Sequence, residues 1–397
     1  MRIVHCVDRI DPADGGPPAV AVRLAAAQAR RGHQLGLISH TPRCSQQELQ
    51  DSYGAIAGYT AIAQQYFDAG SFHERLSAAR ARDSLPQRLG RPDFVHLHGI
   101  WRPLLLRIAQ HCQALGVPYA VTPHGMLKSW AMSQKRLKKY LGLTLGWRQV
   151  LERARVLHFL NEAERAEAAP LRLPTPGVVI PNGVDVAEIN RGIAGNPAFQ
   201  ATLPGRYVLF LARLHYSKGL DLLIGAFERC AARYPDVHLV IAGADFGYRP
   251  QLEELIGTSG LQARIHLLGG VYGEDKLQLL RNATCLCHPT RQEGFSMTLL
   301  ESLASSVPVI TTPEAHFPDI ALEGAGIVCA ADADSLARAL SAVLEDESRR
   351  TRMGIAAQRL VGSRYDWSVI ADRMTQACLA AAAGTPRSAA ATGRGWP

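Results

Sequence analysis

The sequence predicts an α/β protein made of two doubly wound parallel-sheet domains that face each other across a cleft. Three observations predict it. At 397 residues the chain is too long for one ordinary domain. Short apolar runs alternate with helical patterns from end to end, the signature of βαβ units. The rhythm stops at a segment punctuated by proline and glycine, near Asn182 to Ile189, and then restarts.

The first domain, 1–185, opens with a strand at 2–8 (RIVHCVD), a loop at 11–19 (DPADGGPPA) and a helix at 20–32. Strands follow at 34–40 (QLGLISH) and 94–99 (FVHLHG), the latter leading into a helix at 103–116. A strand that runs into a turn (PYAVTPHG, 118–125) and another at 156–161 (VLHFLN) precede the closing VVIPNGVD. The second domain, 186–365, repeats the pattern. Strands are expected at 206–214, 237–243, 264–269, 285–290, 307–312 and 325–329, with helices at 219–235, 251–260, 274–283, 297–306 and 334–346. A terminal helix, 366–383, is assigned to the first domain, and 384–397 reads as a disordered tail of Gly, Pro, Ser, Ala and Arg.

Composition narrows the function classes. Hydrophobic residues are 47% and charged residues 20%, a globular balance. No apolar run is long enough to span a bilayer, and the first residues lack the apolar core and cleavage site of a signal peptide, so a cytoplasmic protein is expected. The eight cysteines show no zinc or redox spacing; Cys285 and Cys287 read as small core residues on one strand. The net charge of +8 is local. Between Met126 and Arg155 eight basic residues, Lys135 among them, face Glu152 alone.

In parallel sheets ligands bind beyond the carboxyl ends of the strands, so the loops there carry the chemistry. The strongest pattern is Glu293-Gly294-Phe295-Ser296-Met297, with Glu301 following. Gly294 permits a tight turn, a helix begins near Ser296 or Met297, and the amides of Phe295 to Thr298 form an anion site favoured by the helix dipole. A diphosphate fits between one carboxylate that grips a sugar hydroxyl and another that grips a ribose diol. Two surface glutamates on a solvated helix would be the plain alternative, and the surrounding apolar run LLESLASSVPVI speaks against it. Arg213 and Lys218-Gly219, at the end of a strand, supply two cations suited to a pyrophosphate. Replacing either by Ala is expected to lower turnover far more than stability.

Three further sites are weaker alone. Asp14-Gly15-Gly16-Pro17 lets backbone amides approach a ligand, although it is not a dinucleotide fingerprint. His124 in TPHGM sits on a strand-end turn, where it could bond a sugar hydroxyl. His96 and His98 alternate along a strand without accompanying carboxylates; they read as loop supports rather than metal ligands, with His98 a secondary substrate candidate. Asp332-Ala-Asp334 superficially matches a metal motif of sugar transferases, but Asp334 is better explained as a helix cap.

Together these residues resemble the retaining family 4 glycosyltransferases of the GT-B fold, whose domains are Rossmann-like. Gly15-Gly16 matches that family's glycine loop, and Pro181 to Asp185 its interdomain IPNGVD. Arg213 with Lys218-Gly219 matches its phosphate pair, Glu293 to Glu301 its E-x7-E signature, and Tyr365-Asp366-Trp367-Ser368 the start of its terminal helix. Ser296 stands where many members have Gly, and IAGADFGY replaces the commoner IAGDGP. The segment from GIW to QKRLKKY resembles the bacterial branch that builds cell-surface polysaccharides.

The resemblance implies transfer of a hexosyl group from a UDP- or GDP-sugar to a sugar or lipid-linked acceptor, with retention of configuration and no metal or other cofactor. It implies that Glu301 holds the ribose hydroxyls and that Arg213 and Lys218 neutralise the leaving diphosphate. Glu293, Gly294 and the Phe295, Ser296 and Met297 region fix the donor, His124 touches the sugar, and Gly15 and Gly16 let the acceptor side close. The alternatives are a nucleotide-sugar 2-epimerase on the same fold and a non-catalytic nucleotide-sugar-binding subunit. The basic stretch 128–155, with Leu137, Tyr140, Leu141, Leu145 and Trp147 interleaved, reads as a basic amphipathic helix that suits an anionic membrane surface at the cytoplasmic face; no nucleic-acid module is recognisable.

Overall fold

The computed structural model describes residues 1–68, 90–134, 136–191 and 195–383. The expected tail at 384–397 and Lys135 lie outside the described residues. Two compact units emerge. The first comprises Met1–Phe159, Glu164–Ile180 and residues from Ala371 on; the second comprises Leu160–Ala163 and Pro181–Ile370.

The first unit is a seven-stranded parallel sheet in the order β3-β2-β1-β4-β5-β6-β7. Its strands are β1 (Arg2–Val7), β2 (Gln34–His40), β3 (Ile62–Phe67), β4 (Phe94–His98), β5 (Tyr119–Thr122), β6 (Val156–Phe159) and β7 (Gly177–Val179). Runs such as Ile3 to Cys6 and Phe94 to His98 are buried throughout, as strands covered on both faces must be. The helices Gly16–Arg30 and Pro103–Leu115 help cover the sheet, and Val22, Ala25 and Ala26 of the former pack with Ile3, Leu35 and Leu37.

The second unit is a six-stranded parallel sheet, β10-β9-β8-β11-β12-β13. Here β8 is Tyr207–Leu211, β9 His238–Ala242, β10 Ile265–Gly269, β11 Cys285–His288, β12 Val309–Thr311 and β13 Gly326–Val328. Cys285 and Cys287 are buried in its core, and all eight cysteines are free thiols.

Each sheet reverses its strand order once, between β1 and β4 in the first unit and between β8 and β11 in the second. At such a switch point the two neighbouring loops diverge to opposite faces and open a crevice beyond the strand ends. The second crevice is formed by the loops leaving β8 and β11, which carry Arg213, Lys218 and Glu293.

The segment Pro181 to Val186 is stitched to the start of the terminal helix. Val184 N–H donates to the Tyr365 carbonyl at 2.8 Å, and Trp367 N–H donates to the Val184 carbonyl at 3.0 Å. A Cβ on Gly183 would come within 2.7 Å of the Trp367 ring, so this position requires glycine.

Several expectations need correction. The basic stretch is not one amphipathic helix but separate pieces, Ser129–Ser133, Arg136–Gly142 and Arg148–Arg153. Leu145 and Gly146 between them leave helical geometry, Gly146 with φ of 121°. Asp332, not Asp334, caps the helix Ala333–Leu344 by accepting from Ser335 N–H at 2.7 Å. Asp334 instead pairs with Arg229 at 2.7 Å. No described helix is long and apolar enough to cross a membrane.

Candidate active site

The loop after β8 turns through a short 3-10 helix, Tyr216–Lys218, and ends at Gly219 with φ of 69°. A side chain at 219 would be strained by that φ and its Cβ would collide with the Pro289 carbonyl oxygen. This close approach brings the β8 and β11 loops together. Thr290 Oγ1 and the Arg291 N–H both donate to the Ser217 carbonyl, at 3.1 and 2.7 Å. The Arg291 guanidinium clamps Asp221 with two parallel bonds of 2.7 Å, the bidentate geometry that makes such pairs strong.

Held in this way, Lys218 meets Glu293. Its Nζ lies 2.6 Å from Glu293 Oε2, and His288 Nε2 lies 2.9 Å from the same oxygen. The side chains of Lys218 and Glu293 are 9% and 13% exposed, so the pair sits largely out of water. Burial alone would push the Glu293 carboxyl up, but the bonds and charges of His288 and Lys218 overcome it and hold it at about 2. Lys218 is therefore part of the architecture as well as a candidate ligand group, and its removal would strand a buried carboxylate. This corrects the expectation that Lys218→Ala would spare stability. Arg213 differs: it is exposed, its guanidinium lies 4.8 Å from the Phe246 ring centroid, and it has no ion-pair partner among the described residues.

Ser296 caps the helix Met297–Ala304 by accepting from Leu299 N–H at 3.4 Å. The first-turn amides of Met297 and Thr298 are of the kind that a helix leaves without intrahelical partners. Gly294 does not occupy a positive φ, so the turn does not demand glycine as expected. A Cβ there would meet nothing within 4 Å, which leaves its Cα face open. The Gly294 carbonyl accepts from Asn161 Nδ2 at 2.6 Å. Glu301 lies on the same helix and pairs with Lys276 at 2.7 Å.

In the first unit, Gly15 (φ of 92°) and Gly16 start the helix Gly16–Arg30, and a Cβ on either would meet nothing within 4 Å. His124 follows β5 in the left-handed region, φ of 51°. Its half-buried ring lies among other imidazoles, and desolvation, with His158 adding, lowers its pKa to about 3. His98 is only 2% exposed and bonds His5 and His124, so it is not itself presented to a substrate. His5, His96 and His98 bring ligand atoms within 4.8 Å of one another, but the facing nitrogens of His5 and His98 are committed to a mutual hydrogen bond of 2.9 Å.

Sequence reasoning missed His288, Lys276, Asn161 and the Arg291–Asp221 clamp. Only His288 left a trace, as the polar end of the otherwise apolar CLCHPT. The partners of the others lie 25 to 133 residues away, beyond the reach of any local pattern.

These features define a class, a doubly wound α/β protein of two units whose second sheet presents cations, a carboxylate and helix amides at its switch point. Comparison places the chain within that class. Residues 14–188 match the family described as "Glycosyltransferase Family 4", and residues 198–360 match "Glycosyl transferases group 1". The phosphatidyl-myo-inositol mannosyltransferase of Mycolicibacterium smegmatis is 30% identical over 90% of this chain and 88% of its own. The GDP-mannose:cellobiosyl-diphosphopolyprenol alpha-mannosyltransferase of Xanthomonas campestris is 28% identical over 98% and 99%. Among solved structures, Anabaena HepE in complex with UDP and glucose superposes with a TM-score of 0.71, at 18% identity, covering 95% of this chain and 98% of that one. WaaG, a glycosyltransferase involved in lipopolysaccharide biosynthesis, gives 0.66 at 18% identity, covering 96% and 100%. The chain belongs to glycosyltransferase family 4: it is a glycosyltransferase with the GT-B fold.

Proposed function

We propose that this enzyme moves a hexosyl group, mannosyl foremost, from a nucleotide-diphospho-sugar to a lipid-linked acceptor with retention of configuration, in the assembly of a cell-surface glycan. The names of both relatives give a mannosyltransferase and a lipid acceptor, and that of the Xanthomonas campestris enzyme gives GDP-mannose, which favours those substrates here. The observation that carries the reading is the buried Lys218–Glu293–His288 group at the second sheet's switch point, three residues before a helix N-terminus. Donors fixed before substrate arrives need no reorganisation when charge develops on the departing phosphate, which is where their catalytic value lies.

In this reading Arg213 and Lys218 neutralise the leaving diphosphate, and the amides of Phe295, Ser296 and Met297 bind its oxygens beside the open face of Gly294. Glu301 holds the ribose hydroxyls, and Glu293 orients the donor sugar. From the first unit, His124 accepts a bond from a sugar hydroxyl, and Gly15 and Gly16 leave room for the acceptor side. Departure on the face that the acceptor approaches, through an oxocarbenium-like transition state, retains the anomeric configuration. The cations and amides supply the charge stabilisation, so the reaction is proposed to need no divalent metal, and EDTA should leave the rate unchanged.

The acceptor reading rests on a second feature. Trp130, Leu137, Leu141 and Leu145 are 57 to 87% exposed beside Arg136, Lys138 and Lys139. Apolar side chains that reach outward among cations match an anionic bilayer surface, and the proposed setting is the cytoplasmic face of a membrane.

The test is thermal unfolding with GDP, UDP and their sugar forms, followed by transfer from labelled donor to lipid-linked acceptors. GDP-mannose should raise the midpoint most, since a ligand that binds only the folded state stabilises by mass action. The product should keep the donor's anomeric configuration. An inverted product, or no stabilisation by any nucleotide sugar, overturns the reading. Free epimerised donor formed without acceptor would identify an epimerase instead.

A further inference from the structure

The loop leaving β9 carries the ADFGY that replaces the commoner DGP, and the proposed function gives it no part. Its backbone is fastened to the loop leaving β8. Leu214 N–H donates to the Ala244 carbonyl at 2.8 Å, and Phe246 N–H donates to the Leu214 carbonyl at 3.0 Å. A Cβ on Gly243 would collide with the Ala212 carbonyl oxygen, so glycine is needed for the two loops to come this close. Asp245 Oδ1 closes the turn by accepting from the N–H groups of Gly247, Tyr248 and Arg249 at 2.9 to 3.1 Å. Beyond it the Tyr216 and Tyr248 rings meet edge to face, 6.3 Å between centroids. The backbone of Phe246 is therefore fixed relative to that of Arg213, the residue before Leu214.

This fastening brings the Phe246 ring to the Arg213 guanidinium, whose carbon lies over the ring 4.8 Å from its centroid. The ring is 53% exposed, so the contact lies at the loop surface and not in the core. Arg213 makes no hydrogen bond or ion pair with any described residue. Lys218 differs, since its Nζ already rests on Glu293. The distinction matters chemically. A carboxylate beside Arg213 would occupy N–H donors that an incoming diphosphate needs, and it would repel the diphosphate. The face of a ring attracts the cation through its quadrupole and leaves the fork of donors open to oxygen. Asp245, on the same loop, is turned to its own backbone and forms no ion pair with Arg213. A long exposed arginine without any support would have to be ordered at the moment of binding, at a cost in side-chain entropy.

We propose that Phe246 is a positioning residue for Arg213: its ring holds the guanidinium by cation–π contact, with its donors unengaged, for the diphosphate of the donor and of the departing nucleotide. The inference rests on the phosphate role proposed for Arg213 and adds a residue that does not itself touch the reacting atoms. It also gives the ADFGY departure a use, because the turn closed by Asp245 is what presents the ring.

The test is GDP binding by calorimetry on the full chain, together with donor KM in transfer assays. Phe246→Leu keeps an apolar side chain without a π face. It should weaken GDP binding and raise the donor KM by about threefold to fivefold, the range of one exposed cation–π contact, with the urea midpoint unchanged. Phe246→Trp and Phe246→Tyr should restore the wild-type values. Replacing Phe246 by phenylalanines with one, two and three ring fluorines drains the negative face with little change of shape, so GDP affinity should fall stepwise along the series. Phe246→Glu gives Arg213 a carboxylate and should weaken GDP more than Phe246→Leu does. In an Arg213→Ala background Phe246→Leu should have no further effect. A flat fluorine series overturns the proposal, as does Phe246→Leu or Phe246→Glu binding GDP as tightly as wild type. So does a Phe246→Leu loss that persists without Arg213, which would place the ring against the nucleotide itself. Arg213→Ala with unaltered GDP affinity is a separate result: it would overturn the phosphate role of Arg213 and this inference with it.

Discussion

Replacing Glu293 by Gln removes a charge while keeping the shape of the side chain. The native carboxyl sits at about 2 against an ordinary 4.5, because His288 and Lys218 outweigh the burial that opposes ionisation. A depression of that size corresponds to about 3 kcal/mol in favour of the ionised form within the folded state. Since the folded value lies below the unfolded one, this stabilisation is complete above about pH 4.5 and is lost as pH falls toward 2, with about 1 kcal/mol gone by pH 4. The assay is urea unfolding of wild type and Glu293→Gln at pH 7 and pH 4. At pH 7 the variant should be less stable by about 3 kcal/mol, because the largely buried Lys218 side chain loses its carboxylate partner. At pH 4 the gap should narrow by about 1 kcal/mol. An equal gap at both pH values, or a variant as stable as wild type at neutral pH, would refute the reasoning.

Gly219→Ala should cost about 2 kcal/mol or more, since a positive φ and a collision with the Pro289 carbonyl oxygen must both be relieved; denaturant midpoints and GDP binding check this, and both should fall. Arg213→Ala should lower turnover at least tenfold with stability changed by less than about 0.5 kcal/mol, as for exposed residues generally. Lys218→Ala should lower both turnover and the unfolding midpoint, and a purely kinetic effect would contradict its structural role. Leu137→Ser combined with Leu141→Ser should abolish cosedimentation with anionic vesicles and leave transfer to a water-soluble acceptor analogue unchanged; equal binding of wild type to neutral vesicles would remove the electrostatic part.

The sequence shows this fold well where strands are apolar and fully covered. QLGLISH runs over the same residues as β2, and CLCHPT and VHLVIAG overlap β11 and β9. It hides β3, Ile62–Phe67, because Gln64 and Gln65 interrupt the run and an edge strand is wet on one side. It also hides the helix Glu347–Arg364, where five arginines dilute the stripe formed by Met353, Ala357, Leu360 and Val361. In the site, local motifs point to Glu293, Lys218 and a helix start near Ser296 or Met297, because turn and helix-start chemistry is local. What those motifs do not contain is partnership. Lys218 meets Glu293 across 75 residues of chain and Lys276 meets Glu301 across 25, and such pairings exist only once the strand order is known.

The free thiols described above have a practical corollary. Six of the eight are shut inside the packing, while Cys44 and Cys329 are only half covered, and each lies in a different unit. Cys44 N–H and Arg43 N–H both donate to Asp11 on the loop that leads to Gly15, so a dye on Cys44 would sit beside the loop that carries Gly15 and Gly16. Both sulfurs are held above the ordinary thiol range, chiefly by burial, so alkylation should be slow and selective near neutral pH. The native chain thus already provides one attachment point per unit for fluorescence ranging during turnover, without an engineered cysteine.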